Sequence, residues 1–453
     1  MIGHLRKTVK RTRVFILDEI PSLNKGEEAI LLGIAHTFRL VGDCSISILS
    51  FYPEIDTPRY AKFGIKVISS HGLFPITVLR RGNLIIRLAA SLFVAIKILI
   101  FVLVSKVAGK FSLRLFKSSV WSELYSADII VMCHDGVGLL NLGLLPFMPL
   151  YMIPAMKSLG KIVVISGNSQ AIPHSSRIKP VFKPIVRRLV WVIKAIAKKV
   201  DLITVRESFS YMSIRELLGD KAPVYFTADR AFMATADRNR VLRKERARNV
   251  LEYERLYEVT RRPLIGVILT NAIGRRVGKE NIFRLIAQML DKIIEELGVT
   301  ILLIPHGYEP YLNDVEVILG LYSSIKNKDY VRIITREYEF DELHDVIRRL
   351  DVLLSSRLHA TISAFLGCTP FIFITHSEDI RRYVLDVTNQ TSWICLLDKE
   401  GVHGLYSKVV ALWFKREKVR EEIKRTLPEV LRRASLDVKM IKAILMRKSL
   451  QNS

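Results

Sequence analysis

The chain has 453 residues, with 69 Lys and Arg against 44 Asp and Glu, so its formal net charge at pH 7 is +25. A chain of this length exceeds what one hydrophobic core usually serves, and half of its residues are hydrophobic, so we expect a globular protein of two domains. The positive charge favours an anionic partner, and composition alone leaves nucleic acid, anionic lipid and small anionic substrates open.

Cysteine spacing and short motifs indicate whether the protein binds a metal and in which cellular compartment it lies. The chain has no CxxC pair, HExxH, Walker A or Asp-x-Asp motif, so we predict no metal and no cofactor. The apolar segment 14–17 is too short for a signal peptide and runs into Asp18, so we expect a cytoplasmic protein. The basic residues are spread over many segments without a module of stacking aromatic residues, and we therefore expect no nucleic acid partner.

Strand-like and helical segments alternate along the first half of the chain. The strand-like segments are residues 14–17, 45–49, 66–68, 128–132, 161–166, 201–205 and 224–226. Such alternation predicts a parallel sheet covered by helices. We assign residues 1–235 to a first Rossmann-like domain, the acceptor side of the molecule.

A second series follows the highly charged segment 236–262, which we interpret as a linker. Its strand-like segments are residues 264–269, 300–304, 331–334, 351–354 and 370–374. The expected fold class is therefore α/β, with two Rossmann-like domains whose parallel sheets face a cleft. The second domain spans residues 263–405, and residues 406–453 form a basic C-terminal helical tail.

Two segments point to a membrane surface. Residues 88–104, within a predicted helix at 84–108, are nearly all apolar with Lys97 in the middle, which is close to the shortest length that spans a bilayer. A membrane span, a helix buried in the protein and a helix lying in the membrane surface all remain open. Residues 180–200 form an amphipathic pattern with a basic stripe and Trp191 at its border, typical of a helix on a sheet or on an anionic bilayer.

The most informative motif sets Arg357 and His359 where a predicted strand becomes a helix. Helix N-termini leave backbone N–H groups unpaired and attract anions. Arg357 adds a planar fork suited to phosphate or carboxylate, and His359 adds a group that exchanges protons near neutral pH. The motif predicts anion binding beside proton transfer, although Arg357 as a helix cap and His359 as an interior hydrogen-bonded residue is the structural alternative.

Other candidate residues follow two predicted strands of the first domain, 14–17 and 128–132. Gly26 permits close backbone approach, and Glu27 lies in a first helical turn where it would orient an acceptor sugar, act as a base or simply complement the helix dipole. Asn24 precedes them. Asp135 and Gly136 belong to a glycine turn that falls short of a dinucleotide fingerprint but permits close approach of a ligand.

Three further residues lie at predicted strand ends, the edge where ligands bind in open α/β sheets. Arg206 follows the strand 201–205 and is a second cation placed as Arg357 is. Asp229 and His306 follow other strands, and each has a purely structural alternative, as a helix cap and as a hydrogen-bonded ring.

Taken in order, these motifs resemble the polysaccharide pyruvyl transferase family from about residue 14 to residue 380. The matching residues are Asn24-x-Gly26-Glu27-x-Ala29-Ile30, Ala127-Asp128-Ile129-Ile130, Val205-Arg206-Glu207-x-x-Ser210, Thr227-Ala228-Asp229-x-Ala231-Phe232 and Ser356-Arg357-Leu358-His359-Ala360. The chain departs from the family pattern at Glu27, where Asp is usual, and at 134–138, where consecutive glycines are usual.

The resemblance implies a fold similar to GT-B glycosyltransferases and transfer of pyruvate from phosphoenolpyruvate onto a sugar as a ketal, in cell-surface polysaccharide biosynthesis. It implies His359, Arg357 and Arg206 as catalytic residues. The implied substrate-binding residues are Asn24, Gly26, Glu27, Asp135, Gly136, Asp229, His306 and Ser356.

The expected partners are phosphoenolpyruvate, a glycan or lipid-linked oligosaccharide acceptor, and an anionic membrane surface at the inner face of the plasma membrane. Two other functions stay open. One is a GT-B glycosyltransferase that uses a nucleotide sugar, with its diphosphate held by Arg357. The other is a non-catalytic relative that only binds membranes.

Overall fold

The protein is described by a computed structural model. It describes residues 11–73, 84–133, 148–169, 191–219, 222–234, 248–254, 256, 262–273, 281–310 and 313–451.

The first half of the described chain forms one parallel sheet in the order β3-β2-β1-β4-β5-β6-β7. Its apolar strands are buried on both faces, as expected for a parallel sheet covered by helices. The strands are β1 (Thr12–Glu19), β2 (Cys44–Ser50), β3 (Ile65–Ser69), β4 (Ile129–Met132), β5 (Ile162–Asn168), β6 (Leu202–Val205) and β7 (Val224–Phe226). The helices are α1 (Lys25–Val41), α2 (Pro53–Ala61), α3 (Leu84–Ala108), α4 (Ser112–Leu115), α5 (Ser119–Ser126), α6 (Met148–Ser158) and α7 (Ser208–Leu218).

The second half forms another parallel sheet, in the order β10-β9-β8-β11-β12-β13. Its strands are β8 (Leu264–Ile268), β9 (Thr300–Leu303), β10 (Val331–Ile333), β11 (Val352–Ser355), β12 (Phe371–Thr375) and β13 (Ile394–Leu396). The intervening helices are α8 (Ile282–Leu297), α9 (Asp314–Ser324), α10 (Phe340–Ile347) and α11 (Leu358–Leu366). The predicted fold class is confirmed. The sequence analysis missed β13, because its last predicted strand of the second domain was 370–374.

The C-terminal tail is helical, as predicted, and returns to the first sheet. Helix α12 (Leu397–Ala434) is interrupted at Gly401, where φ is 66°, and α13 (Leu436–Gln451) follows. Asp437 at the start of α13 is buried and accepts hydrogen bonds from Ser166 (2.9 Å) and Thr204 (3.0 Å) of the first sheet. It also lies 3.1 Å from the guanidinium of Arg230. A buried carboxylate held by these partners fastens the tail to the first domain.

Both sheets reverse their strand order at one point, between β1 and β4 and between β8 and β11. Connections diverge there and leave a crevice at the carboxyl ends of the strands. The two crevices meet, because Asn24 and Gly307 form an antiparallel bridge. The amide of Lys25 also donates to the carbonyl of His306 (3.2 Å). The segment after β1 therefore lies directly against the segment after β9.

Helix α1 is positioned by close packing on the short 3₁₀ segment Arg230–Met233. A Cβ atom at Gly33 would lie 1.9 Å from the carbonyl oxygen of Arg230, so the residue must lack a side chain. This contact sets the start of α1 opposite Asp229, which immediately precedes the 3₁₀ segment.

The apolar helix α3 is half buried rather than enclosed in the core. Within the described residues, one helical stretch, Ile85–Leu115, is long and apolar enough to cross a membrane by length and composition, and 39 % of its apolar 18-residue window is buried. One such helix is weak evidence for a span. The interpretation of α3 as a helix buried in the protein therefore holds for one of its faces only.

Candidate functional site

Arg357 and His359 are held at the junction of β11 and α11. Arg357 is the N-cap residue of α11, and its amide donates to Ser355 Oγ at 3.0 Å. The same hydroxyl donates to the carbonyl of Arg357 at 2.9 Å. This local turn fixes the backbone, so both side chains leave the carboxyl edge of the second sheet at the switch point of its strand order.

The guanidinium of Arg357 is oriented by a buried carboxylate. Its Nε and Nη2 atoms donate to the two oxygens of Asp314, at 3.1 and 2.7 Å. Burial raises the pKa of Asp314, and the charge of Arg357 opposes that rise. A bidentate pair of this kind fixes the plane of the guanidinium.

Asp229 connects Arg206 of the first domain with His359 of the second. Arg206 donates through Nη1 to Asp229 Oδ2 at 2.7 Å, and the same oxygen lies 3.6 Å from His359 Nε2. Burial alone would raise the pKa of Asp229, but Arg206, His359 and the amide of Ala231 hold it well below its usual range. An ionised carboxylate in this position stabilises positive charge on the imidazole.

Arg206 is more enclosed than the sequence analysis expected. It is only 1 % exposed, and its Nε donates to Ser169 Oγ at 2.7 Å. Ser169 in turn donates to Glu207 Oε2 at 3.1 Å. These contacts make Arg206 first of all the residue that positions Asp229.

Gly26 packs directly on the imidazole of His359. A Cβ atom at this position would lie 2.5 Å from Nδ1 and 3.0 Å from Cγ of the ring. The start of α1 therefore forms one wall of the site, and its glycine is required by the closeness of that wall.

His306 is a buried imidazole at the same site. Burial lowers its pKa well below the usual value, and the charges of Arg357, His359 and Lys25 lower it further. Neither ring nitrogen has a hydrogen-bond partner among the described residues. A neutral ring with unsatisfied nitrogens beside a cavity is suited to hydrogen bonding with a ligand.

These residues surround a cavity of about 180 Å³ between the two domains. Its polar lining consists of Asn24, Gly26, Glu27 and Arg206 from the first domain, and His306, Arg357, His359 and Arg381 from the second. Two guanidinium groups and two imidazoles thus reach one cavity from the second sheet, and a third guanidinium reaches it from the first. The arrangement is suited to a small anion.

The sequence analysis missed Arg381. Its Nε and Nη2 atoms donate to the two oxygens of Asp379, at 2.8 and 2.6 Å, and its side chain is 36 % exposed. Burial would raise the pKa of Asp379, but Arg381 and Thr375 hold it well below its usual range. Arg381 lies in the 3₁₀ segment Ile380–Thr388, beyond the end of β12 at Thr375, so an inspection of the residues directly after each strand did not reach it.

The remaining predicted residues have different surroundings. The Asn24 side chain accepts from the amide of Gly26 (3.2 Å) and donates to Glu27 (3.3 Å) and Glu309 (3.2 Å). Ser356 does not line the cavity, because its hydroxyl accepts the amide of Thr270 at 2.9 Å and braces the end of β8. Asp135 and Gly136 lie outside the described residues.

Buried and partly exposed ion pairs hold the two domains together beside the cavity. Lys25 is 0 % exposed and donates to Glu337 at 2.7 Å, and Arg59 donates to both oxygens of Glu337 at 2.5 and 2.9 Å. Glu28 accepts the amide of Phe340 at 3.2 Å, and burial raises its pKa. Glu28 therefore contributes to the domain contact, beyond complementing the helix dipole.

A metal has no evident ligand set in the part of the chain that is described. No group of three or more His, Cys, Asp or Glu is placed there to hold an ion. That the reaction needs no metal stays a prediction.

Comparison with known proteins supports a family and a fold. The model of the polysaccharide pyruvyl transferase family matches residues 24–378. No curated protein matched the chain.

Solved structures are similar over nearly the whole chain. A UDP-GlcNAc 2-epimerase from Neisseria meningitidis bound to UDP-GlcNAc has a TM-score of 0.58 and 12 % identity, covering 95 % of this chain and 99 % of that one. HepE from Anabaena in complex with UDP and glucose has a TM-score of 0.55 and 10 % identity, covering 97 % of this chain and 100 % of that one. A glycosyltransferase from Rickettsia africae has a TM-score of 0.55 and 14 % identity, covering 98 % of this chain and 100 % of that one. At these identities the similarity shows the fold alone, which is that of GT-B glycosyltransferases and epimerases.

Replacing Gly26 by Ala tests the contact with His359. The added methyl group overlaps the imidazole, so we expect the ring to be displaced and turnover to fall by about 100-fold or more, in the range of a lost proton-transfer group. The control is Gly42→Ala at the other end of α1, where a Cβ meets nothing within 4 Å. Thermal unfolding of both variants checks folding. A folded Gly26→Ala protein with the activity of Gly42→Ala would contradict the geometry.

The low pKa of Asp229 predicts a dependence of stability on pH. Its folded pKa lies below the unfolded value of about 3.9, so its contribution to stability is complete above that value and is lost as the pH falls toward the folded pKa. In Asp229→Asn, melting temperature should therefore decline less steeply than in the wild type between about pH 5 and pH 2. Asp43→Asn, at an exposed ion pair with Arg11, is the control and should keep the wild-type slope. Equal slopes in all three proteins would show that Asp229 has no special pKa.

Proposed function

Because the family match spans most of its length, the chain belongs to the polysaccharide pyruvyl transferase family, and we propose that it transfers pyruvate from phosphoenolpyruvate to a sugar of a glycan. The product is a ketal joined to two hydroxyl groups of that sugar. The observation that carries the proposal is the meeting of Arg357, His359 and Arg206 at one small cavity between the domains.

The charge and size of the cavity favour this donor. Phosphoenolpyruvate presents a phosphate and a carboxylate close together, and guanidinium groups bind both in a bidentate manner. Arg357 and Arg381 are partly exposed at the cavity and stand nearest to such a donor, whereas Arg206 acts through Asp229. The volume of about 180 Å³ is below the roughly 300–1,000 Å³ usual for drug-sized ligands, which favours a small donor over a nucleotide sugar.

His359 supplies the proton in the proposed mechanism. It protonates the methylene carbon of the donor, which leaves C2 electrophilic, and Asp229 stabilises the imidazolium from which that proton comes. A sugar hydroxyl then forms a bond to C2 and gives up its proton, and His359 takes that proton. The C2–O bond to phosphate breaks, phosphate leaves with its electron pair, and a second hydroxyl closes the ketal while its proton passes to the phosphate.

The acceptor side of the cavity belongs to the start of α1. Glu27 lies there beside Asn24, and in the proposal it orients the attacking hydroxyl. The neutral ring of His306 offers a further hydrogen bond to donor or acceptor. The reaction as written uses only phosphoenolpyruvate and the acceptor, so no cofactor takes part.

The proposed acceptor is a glycan of the cell surface or a lipid-linked oligosaccharide from which such a glycan is built. The proposed location is the cytoplasm, at the inner face of the plasma membrane. A lipid-linked acceptor would account for that peripheral position.

A second candidate is a glycosyltransferase that uses a nucleotide sugar. It is favoured by the fold neighbours, whose structures hold UDP or UDP-GlcNAc. In this alternative Arg357 and the N-terminus of α11 would hold the diphosphate.

Calorimetry with phosphoenolpyruvate and with UDP-sugars separates the candidates. We expect phosphoenolpyruvate to bind and UDP-sugars not to bind. Arg357→Ala should weaken phosphoenolpyruvate binding by about 10- to 100-fold, since hydrogen bonds to charged groups are lost. His359→Ala should keep most of the binding but reduce turnover by about 100- to 10,000-fold, because it removes the general acid.

Two exposed residues away from the cavity provide matched controls, Arg284→Ala and His403→Ala, which should behave as the wild type. Binding of a UDP-sugar without binding of phosphoenolpyruvate would favour the glycosyltransferase. Binding of neither would indicate a non-catalytic relative, and near-wild-type turnover in His359→Ala would refute the mechanism.

A further inference from the structure

Helix α3 has two faces that are both apolar but have different surroundings. One face packs into the first domain through Ala90, Val94, Ile98, Phe101 and Val102. The opposite face is a stripe at helical spacing whose members are 39–75 % exposed: Ile85, Leu88, Leu92, Ile96, Leu99 and Leu103. We call these six residues the α3 stripe. An exposed apolar row of this length marks an interaction surface.

The charge within α3 does not interrupt the stripe. Lys97 turns toward the protein, where its Nζ donates to the carbonyl of Gly72 at 3.1 Å and lies 5.6 Å from the centre of the Trp121 ring. Burial lowers the pKa of Lys97. The central lysine of this apolar segment therefore faces the protein and not the exposed stripe.

The α3 stripe lies along the surface of the domain and does not leave it. Strand β3 precedes α3 and β4 follows it, and both belong to the same sheet. The buried face of α3 is part of the core that covers that sheet. Crossing a bilayer would require removal of this face from the core, so a position parallel to the membrane plane is the geometry that keeps the domain intact.

The surroundings of the stripe are basic. Lys106, Lys110 and Arg114 are exposed just after the stripe, and the sequence between Asp56 and Glu123 has no acidic residue. A second copy of the chain would bring two such basic surfaces together across a twofold axis, which like charge disfavours. An anionic surface is the complementary partner.

A polar cavity adjoins the C-terminal end of α3. Its volume is about 350 Å³, and it is lined by Ser105, Lys106, Tyr125, Ser158, Leu159 and Lys161. Lys106 is exposed at its rim, and Lys161 donates to the carbonyl of Tyr125. Two ammonium groups beside hydroxyl groups are suited to a phosphate.

We propose that the α3 stripe lies in the interfacial layer of an anionic bilayer and that the cavity beside Lys106 and Lys161 holds the phosphate of a lipid headgroup. The apolar row enters the boundary between headgroups and acyl chains, and the flanking cations contact the headgroups. The proposal is independent of pyruvyl transfer, because it concerns another face of the first domain.

Sedimentation of the full-length protein with vesicles tests the proposal without any turnover. The vesicles are equimolar phosphatidylglycerol and phosphatidylcholine, and the comparison vesicles are phosphatidylcholine alone. We expect binding to the anionic vesicles that weakens with added salt. The double variant Leu92→Glu/Leu99→Glu should reduce the partition coefficient by about tenfold or more, and Lys106→Glu by several-fold, with the melting temperature retained.

Matched controls lie on α12, where Phe414 is also an exposed apolar residue and Lys418 an exposed cation. Phe414→Glu and Lys418→Glu should bind vesicles as the wild type does. Equal loss in the controls would show attraction by net charge alone and would overturn the proposal. Failure of the wild type to sediment with the anionic vesicles would also overturn the proposal. The same holds if light scattering finds a wild-type dimer that does not bind vesicles and a monomer for Leu92→Glu/Leu99→Glu. If Lys106→Glu lost the binding of inorganic phosphate measured by calorimetry but still bound anionic vesicles as the wild type does, the cavity would belong to free phosphate, and this result would also overturn the proposal.

Discussion

The candidate site depends on one buried carboxylate that two domains share. Asp229 accepts a hydrogen bond from Arg206 and faces His359 across the domain boundary, and the charge of Arg206 together with His359 holds the pKa of Asp229 below its usual range despite burial. The close packing of Gly33 on the Arg230 carbonyl sets α1 beside this carboxylate, and Gly26 then confines the imidazole from the other side. Removal of a partner from such a buried charged group is costly, so the contact fixes both the chemistry and the relation of the domains.

Each arginine at the cavity has its own buried acidic partner, Asp229 for Arg206, Asp314 for Arg357 and Asp379 for Arg381. The pairing orients the guanidinium planes before a ligand arrives, which lowers the ordering cost of binding. It also offsets part of the local positive charge of the three guanidinium groups.

Much of this arrangement could be predicted from the sequence, because parallel strands end at a common edge and their last residues meet there. By that rule, the sequence predicted that Arg206, Arg357 and His359 lie close together at the carboxyl edge of the sheets. It could not show that Ser356 turns to brace Thr270, since a one-residue difference in register decides which way a side chain faces. Nor could it find Asp314, whose role arises from α9 packing against Arg357. The direction of Lys97, decisive for α3, likewise depends on tertiary contact with Gly72.

The most direct test of the central claim is a crystal structure of the protein with phosphoenolpyruvate and a non-reacting acceptor analogue. The account predicts the donor in the cavity between the domains, with its phosphate or carboxylate oxygens within hydrogen-bonding distance of Arg357 and its methylene carbon facing His359. A donor bound elsewhere, or one that leaves His359 and Arg357 without contact, would contradict it.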